Sequence, residues 1–419
     1  MNQKDNPESA KRLSIGRNML WNSVGSMVYL ACQWLITVLV VRLSSGFDAA
    51  GALALGMAVS NIFTPIGQYK IRAFQVSDVT GEYTAGQYIA HRFVTIGLAV
   101  VVMLVYAEIT CPANQLLPIY LYGVFSFGPI FVDVLHGEDQ RASRMDCIGI
   151  SCIMRGVGSL LSFSAVLWAT DSLSMALIAM TLATFLVISF YDVPQTRKLV
   201  GSLRPDFNKE KIASLLKICA PAVVALFLCS AIPAIPRQIL NSQYGSDTLG
   251  VYASVASPVL IIQMGAQYVY APMLTEFANK YHAGEQEGFF SLFKKVALSI
   301  VFITIVGIVG FQLAGNIILE ILYGSDVVQY SYILLPLVVC TALTAYIWFI
   351  GDLLIAIRDM KGNLITYAIA MTVCLVSMSS LIGAWGMNGV SFTIILSFAA
   401  ALVYAIPRIF IITRKSFGR

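Results

Sequence analysis

Arg155 stands inside an otherwise apolar run from Cys147 to Ala169, with Ser151, Ser159 and Ser162 at helical spacings from it. On a helix those four side chains share one face. A guanidinium within a membrane costs roughly 2.5–3.5 kcal/mol on insertion scales, so its presence calls for a reason. One reading makes the serine face the wall of a wet cavity, where the cation meets an anionic group of a substrate; phosphate oxygens suit the guanidinium fork. The bland reading has Arg155 snorkel, or pair with a carboxylate such as Asp133 to hold two helices together.

Other polar residues follow the same periodicity. Asn22, Ser26, Tyr29 and Gln33 form a stripe in the first apolar run, Asn61, Thr64 and Gln68 in the second, and Gln263, Gln267 and Tyr270 in the eighth. Such stripes either line a hydrophilic pathway or join helices by hydrogen bonds. Asp133 and Asp352 lie near corresponding ends of the fourth and tenth runs, and Thr341, Thr344 and Trp348 share the face of Asp352. A carboxylate at that depth is a candidate for carrying a proton or sodium ion, against the plainer reading of a solvated helix end. Arg72, Arg92, Arg141 and Arg144 gather toward the end where Arg155 lies and would funnel in a polyanion, although the charge bias of membrane loops explains Arg92 and Arg141 equally well.

These residues are positioned by about twelve apolar, helix-length runs. With 58% hydrophobic and 12% charged residues among 419, the chain has too little polar surface for a water-soluble body. The expected spans are 18–41, 49–69, 93–107, 115–135, 147–169, 172–191, 216–240, 250–274, 292–313, 328–350, 364–382 and 390–411. Backbone groups in lipid must bond within their own segment, so these are helices. Basic residues crowd alternate connections: Lys4, Lys11, Arg12 and Arg17 before the first span, Lys70 and Arg72 after the second, Arg197, Lys198 and Arg204 after the sixth, and Arg408 and Arg414 at the end. The other connections hold only Arg42 and Arg237. This bias predicts a multi-pass protein of the cell (cytoplasmic) membrane with both termini cytoplasmic.

A cleavable signal peptide is not expected, since the first apolar run is too long and no small-residue cleavage site follows a short one. The eight cysteines form no CxxC pair and read as core residues, and no metal or nucleotide motif is present, so no cofactor is expected. The net charge of +5 needs no nucleic-acid partner, because basic loops facing anionic lipid account for it. His91, His136 and His282 stand beside no plausible nucleophile, which argues against an enzyme.

A shift of 199 positions superposes Asp48, Gly51, Gln68 and Tyr69 on Asp247, Gly250, Gln267 and Tyr268. An even number of spans per copy makes the repeat parallel, which predicts an all-α protein with six-helix lobes at 1–192 and 215–419, a cytoplasmic linker at 193–214, and a cavity between the lobes.

Three stretches then resemble a known family: Gly16-Arg17-Asn18-Met19-Leu20-Trp21-Asn22, Arg72-Ala73-Phe74-Gln75-Val76-Ser77-Asp78 followed by Tyr83 and Tyr88, and the segment from Gly137 to Asp146 leading to Ser151 and Arg155-Gly156. They are similar to the polysaccharide transporter branch, the Wzx-like flippases, of the multidrug/oligosaccharidyl-lipid/polysaccharide (MOP) exporter superfamily. The resemblance implies two six-helix lobes around a central cavity, as in the MATE-like fold. It further implies alternating access that moves an undecaprenyl-diphosphate-linked glycan to the outer leaflet for cell-surface polysaccharide. By that resemblance the substrate's diphosphate would be met by Arg155, Arg72 and Arg144, while the polar residues Asn22, Gln33, Gln68, Gln267, Ser151 and Ser159, read from their spacing, would line the same cavity. The expected partners are the lipid-linked glycan, membrane lipids and polysaccharide-assembly enzymes. The alternative on the same fold, a MATE-type drug or cation antiporter, would want acidic residues in the outer half of a lobe, where only the loop-edge residues Asp48, Asp247 and Asp326 stand.

Overall fold

A computed structural model describes residues 13–78 and 81–417. Lys4, Lys11 and Arg12 of the expected N-terminal basic cluster lie outside them. The described chain forms twelve helices long and apolar enough to cross a membrane: α1 Gly16–Leu43, α2 Asp48–Val76, α3 Ala85–Thr110, α4 Ala113–Arg141, α5 Met145–Thr170, α6 Leu173–Val200, α7 Lys209–Tyr244, α8 Ser246–Ala283, α9 Gln286–Tyr323, α10 Ser331–Ala356, α11 Met360–Trp385 and α12 Met387–Arg414. Large apolar side chains stand on their outer faces, among them Phe190, Leu313 and Val376, each at least 78% exposed. Such surface belongs against acyl chains rather than water.

Local chemistry explains where the helices depart from the expected spans. α3 starts at Ala85 rather than near Phe93 because Thr84 and Gln87 form a capping box, with each side chain accepting from the other residue's backbone N–H. His91 and Arg92 are thereby drawn into the helix and fully buried. α2 breaks at Tyr69 and Lys70, whose φ values of 51° and 52° are left-handed, and the short helix Ile71–Ser77 follows in a new direction. In α6 the turn Ile188–Asp192 is π-helical. This extra residue in the ladder shifts the register of everything after it.

The helices fall into two compact units. One takes the described residues up to Ser45 together with Val59–Val223; the other takes Gly46–Ala58 together with the chain from Val224 onward. The division therefore passes through α2 and α7. Residues 193–214, expected as a linker, are packed onto the first unit: Thr196 donates to Asp139 at 3.0 Å, Gln87 to Asp206 at 2.9 Å, and Tyr83 to Ser214 at 3.2 Å.

In the first unit α1 and α5 cross with their backbones touching. A Cβ on Gly25 would lie 2.4 Å from the Cα of Gly149, and one on Gly149 would lie 2.4 Å from the carbonyl oxygen of Trp21. Without a hydrophobic drive between helices in lipid, this close approach is what dispersion and packing require. In the second unit the repeat-related glycines meet reciprocally. A Cβ on Gly51 would strike the carbonyl oxygen of Ser246, and one on Gly250 would strike that of Phe47, while Ser246 Oγ donates to the carbonyl of Asp48 at 3.1 Å.

Candidate functional site

Arg155 is 4% exposed on α5 and is held by uncharged neighbours. Its Nε donates to Ser151 Oγ at 3.0 Å, an Nη reaches Cys152 Sγ at 3.7 Å, and the guanidinium lies 5.3 Å from the centre of the Tyr29 ring. Ser159 continues the face and accepts from Gln33 Nε2 at 3.0 Å. The backbone contact between α1 and α5 is what brings Tyr29 and Gln33 this close. Among the described residues no carboxylate comes within ion-pair distance of Arg155, so its charge is solvated by hydroxyl, thiol and ring and matched by no anion.

Asp133 is not its partner. Instead Asp133 receives Arg92 at 2.8 Å and Arg72 at 3.3 Å, which removes the Arg155–Asp133 pair offered by the bland reading of Arg155. The cause is the geometry of α2 and α3: the break at Tyr69 turns Arg72 toward α4, and the early start of α3 places Arg92 opposite Asp133. Arg92 is wholly buried, and its Nη1 donates to the carbonyl of Gly67 at 2.7 Å, a group near the end of the interrupted α2. Arg72 also donates to Gln140 at 3.0 Å. Gln68, Lys70, Arg72, Asp133 and Gln140 line a cavity of about 370 Å³.

The remaining basic groups of this end are matched. Arg141 pairs with Glu138 at 3.2 Å, and Glu138 also accepts from Gln75 at 2.8 Å. Arg144, just before α5, forks onto Asp146 at 2.8 and 2.9 Å. That hydrogen-bonded carboxylate raises the Arg144 guanidinium above its ordinary value. Asn22 is half-buried on α1. The structure thus gathers Arg155, Ser151, Ser159 and Gln33 into one cluster and Gln68, Arg72 and Asp133 into another, and leaves Arg144 with its own carboxylate.

In the second unit Tyr270 donates to Asp352 at 3.2 Å, and Gln267 is exposed one turn before it. Thr341 and Thr344 are buried in α10, where Thr344 satisfies itself on the carbonyl of Cys340 at 2.8 Å. Arg237, which the charge pattern counts with a connection, lies inside α7, with its guanidinium 6.0 Å from the centre of the Tyr252 ring. The signal for it was available: its place within the apolar run of α7 marks it, like Arg155, as an intramembrane cation. Arg92 was readable too, had Thr84-x-x-Gln87 been taken as a helix start.

No family model matches the chain. A curated relative, "Capsular polysaccharide biosynthesis protein CapF" of Staphylococcus aureus, is 22% identical over 398 residues, 94% of this chain and 100% of that protein. Among solved structures, an inward-facing multidrug resistance MATE family transporter of the MOP superfamily matches with a TM-score of 0.70 at 13% identity, over 96% of this chain and 98% of that one. The lipid II flippase MurJ, in an inward closed conformation, matches with a TM-score of 0.71 at 12% identity, over 95% of this chain and 89% of that one. This chain is a multi-pass membrane protein with the fold that those transporters share, and its likeness to the capsular relative runs along nearly its whole length.

Proposed function

We propose that the protein flips a lipid-linked oligosaccharide, carried on a diphosphate, from the cytoplasmic to the outer leaflet of the cell membrane. Its termini would lie in the cytoplasm, and lobes at 1–192 and 215–419, joined by 193–214, would enclose the pathway. The observation that carries this reading is Arg155, a buried cation with polar neighbours and no carboxylate among the described residues. A lone charge of this kind is costly to the fold and suits an anion that arrives and leaves. The likeness to a capsular polysaccharide biosynthesis protein supports a glycan as cargo, and the likeness of fold to a lipid II flippase supports its movement on a lipid carrier.

A glycan head with hydroxyls and phosphate cannot cross hydrocarbon unaided, whereas a polar groove open to the side lets the lipid tail remain in the bilayer. Arg72 and Gln68 at their cavity would receive the headgroup, and Arg155, Ser151, Ser159 and Gln33 would hold its phosphates deeper in. Asn22, Gln267 and Arg144 complete the polar route, and Asp352 is the candidate for ion coupling in the second unit.

In proteoliposomes a fluorescent undecaprenyl-diphosphate saccharide should change leaflet without nucleotide. Arg155→Met should slow that movement by about 10- to 100-fold, the worth of a charge-assisted contact of about 1.5–3 kcal/mol, at unchanged protein abundance. Normal movement by Arg155→Met, or loss of folded protein in its place, would refute the role given to Arg155. Transport of organic cations in preference to the saccharide would establish the antiporter alternative.

A further inference from the structure

The first unit holds a third polar cluster, separate from the serine face of Arg155 and from the Asp133 ion pairs. On α4, His136 and Asp139 are 4% and 1% exposed; on α6, Asp192 is 2% exposed. His136 Nε2 stands 3.4 Å from Asp192 Oδ1, Asp139 accepts from Thr196 at 3.0 Å, and Asp192 Oδ2 is buried without a protein donor. Neither aspartate forms an ion pair with Lys or Arg among the described residues.

The charged groups around the cluster make their ion pairs elsewhere, except Arg155, which makes none among the described residues. From α4, Glu138 faces Asp139 but is taken by Arg141 and Gln75. From α2, Arg72 acts on both His136 and Asp139 at longer range, yet its ion pair is with Asp133. From α5, Arg155 faces His136, Cys152 faces Asp192 and Cys147 faces Asp139; Asp146, paired with Arg144, and Tyr191 of the π turn complete the shell.

We propose that His136, Asp139 and Asp192 form a proton-binding site in the first unit. Two carboxylates closed off from water, with no Lys or Arg in contact, carry a steep desolvation cost, and a proton shared within the cluster removes one of the charges. The proton belongs to the three groups together, as in any tightly coupled set. The π turn gives the site a means of release. Asp192 is the last residue of that turn, and returning Ile188–Asp192 to α-helix would carry it about 100° around the axis, away from His136. Uptake and release would thus follow the geometry of α6. The site is a property of the unit by itself; only its coupling to glycan movement rests on the function proposed above.

Infrared difference spectroscopy of the full-length protein in lipid nanodiscs tests it without substrate. Between about pH 5 and about pH 8, the window of an imidazole and its neighbours, a protonated-carboxyl band should titrate in the wild type. It should vanish in Asp192→Asn or Asp139→Asn and shift its midpoint in His136→Gln, so that failure of one variant to fold leaves the others decisive. A wild type with no titrating carboxyl in that window, or a band that survives in both asparagine variants, overturns the proposal. In proteoliposomes, a wild-type pH dependence of up to about tenfold per pH unit, the limit for one proton, should flatten to less than about twofold in Asp192→Asn. An unchanged slope would remove the site from the transport cycle, whereas a wild type that moves no saccharide but keeps the titrating band would count against the flippase reading alone.

Discussion

Replacing Asp133 by Asn separates the two arginines that share it. Arg92 has a wholly buried side chain, whereas that of Arg72 is 29% exposed and that of Asp133 22%. Removing the partner of a buried charge typically costs about 3–5 kcal/mol, because the remaining ion is left uncompensated. Partial exposure of Asp133, and the bond that Arg92 keeps to the carbonyl of Gly67, place the expected loss near the lower end, at about 3 kcal/mol. The Arg72 arm is open to solvent and worth at most about 1 kcal/mol. Thermal unfolding in detergent should therefore fall by about 6–12 °C for Asp133→Asn, taking the scale of a folding unit of about 200 residues, and by no more than about 4 °C for Arg72→Ala. The double variant Arg92→Met with Asp133→Leu, which removes both buried charges, should recover much of the difference. Equal losses for Arg72→Ala and Asp133→Asn, or a double variant worse than either single one, would falsify the assignment of Arg92 as the dominant partner.

Two further outcomes are expected. Gly25→Leu or Gly149→Leu should force α1 and α5 apart, lower stability by about 1–3 kcal/mol, and slow saccharide movement through displacement of Tyr29 and Gln33 from Arg155; a normal melting curve with normal transport would show that the crossing does not position the site. Asp359, between α10 and α11, caps the latter through Gly362 N–H at 3.0 Å and pairs with Arg408 at 2.5 and 2.9 Å. Burial pushes its carboxyl up, but the hydrogen bonds and charge of Arg408 and the Gly362 amide outweigh it and hold the carboxyl below its ordinary value. Its stabilisation is accordingly complete above the unfolded value near 4 and is lost as acid carries the pH down through the lower folded value. Asp359→Ala should melt earlier by about 1–2 kcal/mol near neutrality and show less acid sensitivity than the parent below about pH 4; equal acid sensitivity of the two proteins would remove Asp359 as the titrating group.

Much of this protein was already written along the chain. Lipid offers no partner for backbone N–H and C=O, so apolar runs of sufficient length had to be helices, and their count followed from hydropathy. Ser151, Arg155 and Ser159 share a face by spacing alone, and the structure finds them together. The reciprocal contact of Gly51 and Gly250 falls on residues that the shift of 199 had paired. Helix ends were less legible where polar caps extend an apolar core, as Thr84 and Gln87 do for α3.

Only the tertiary structure decided which charges meet. Ion pairing depends on rotation and depth across separate helices, which periodicity within one helix does not encode. A left-handed break at Tyr69 and Lys70 gave Asp133 to Arg72 and Arg92 and left Arg155 without a carboxylate. One extra residue in the turn Ile188–Asp192 set Asp192 against His136, two side chains far apart in sequence whose meeting no spacing could foretell. Composition and periodicity thus determined the helices and their faces, while backbone irregularities of one or two residues chose the partners, because a register shift that hardly changes a helix's burial redirects every side chain beyond it.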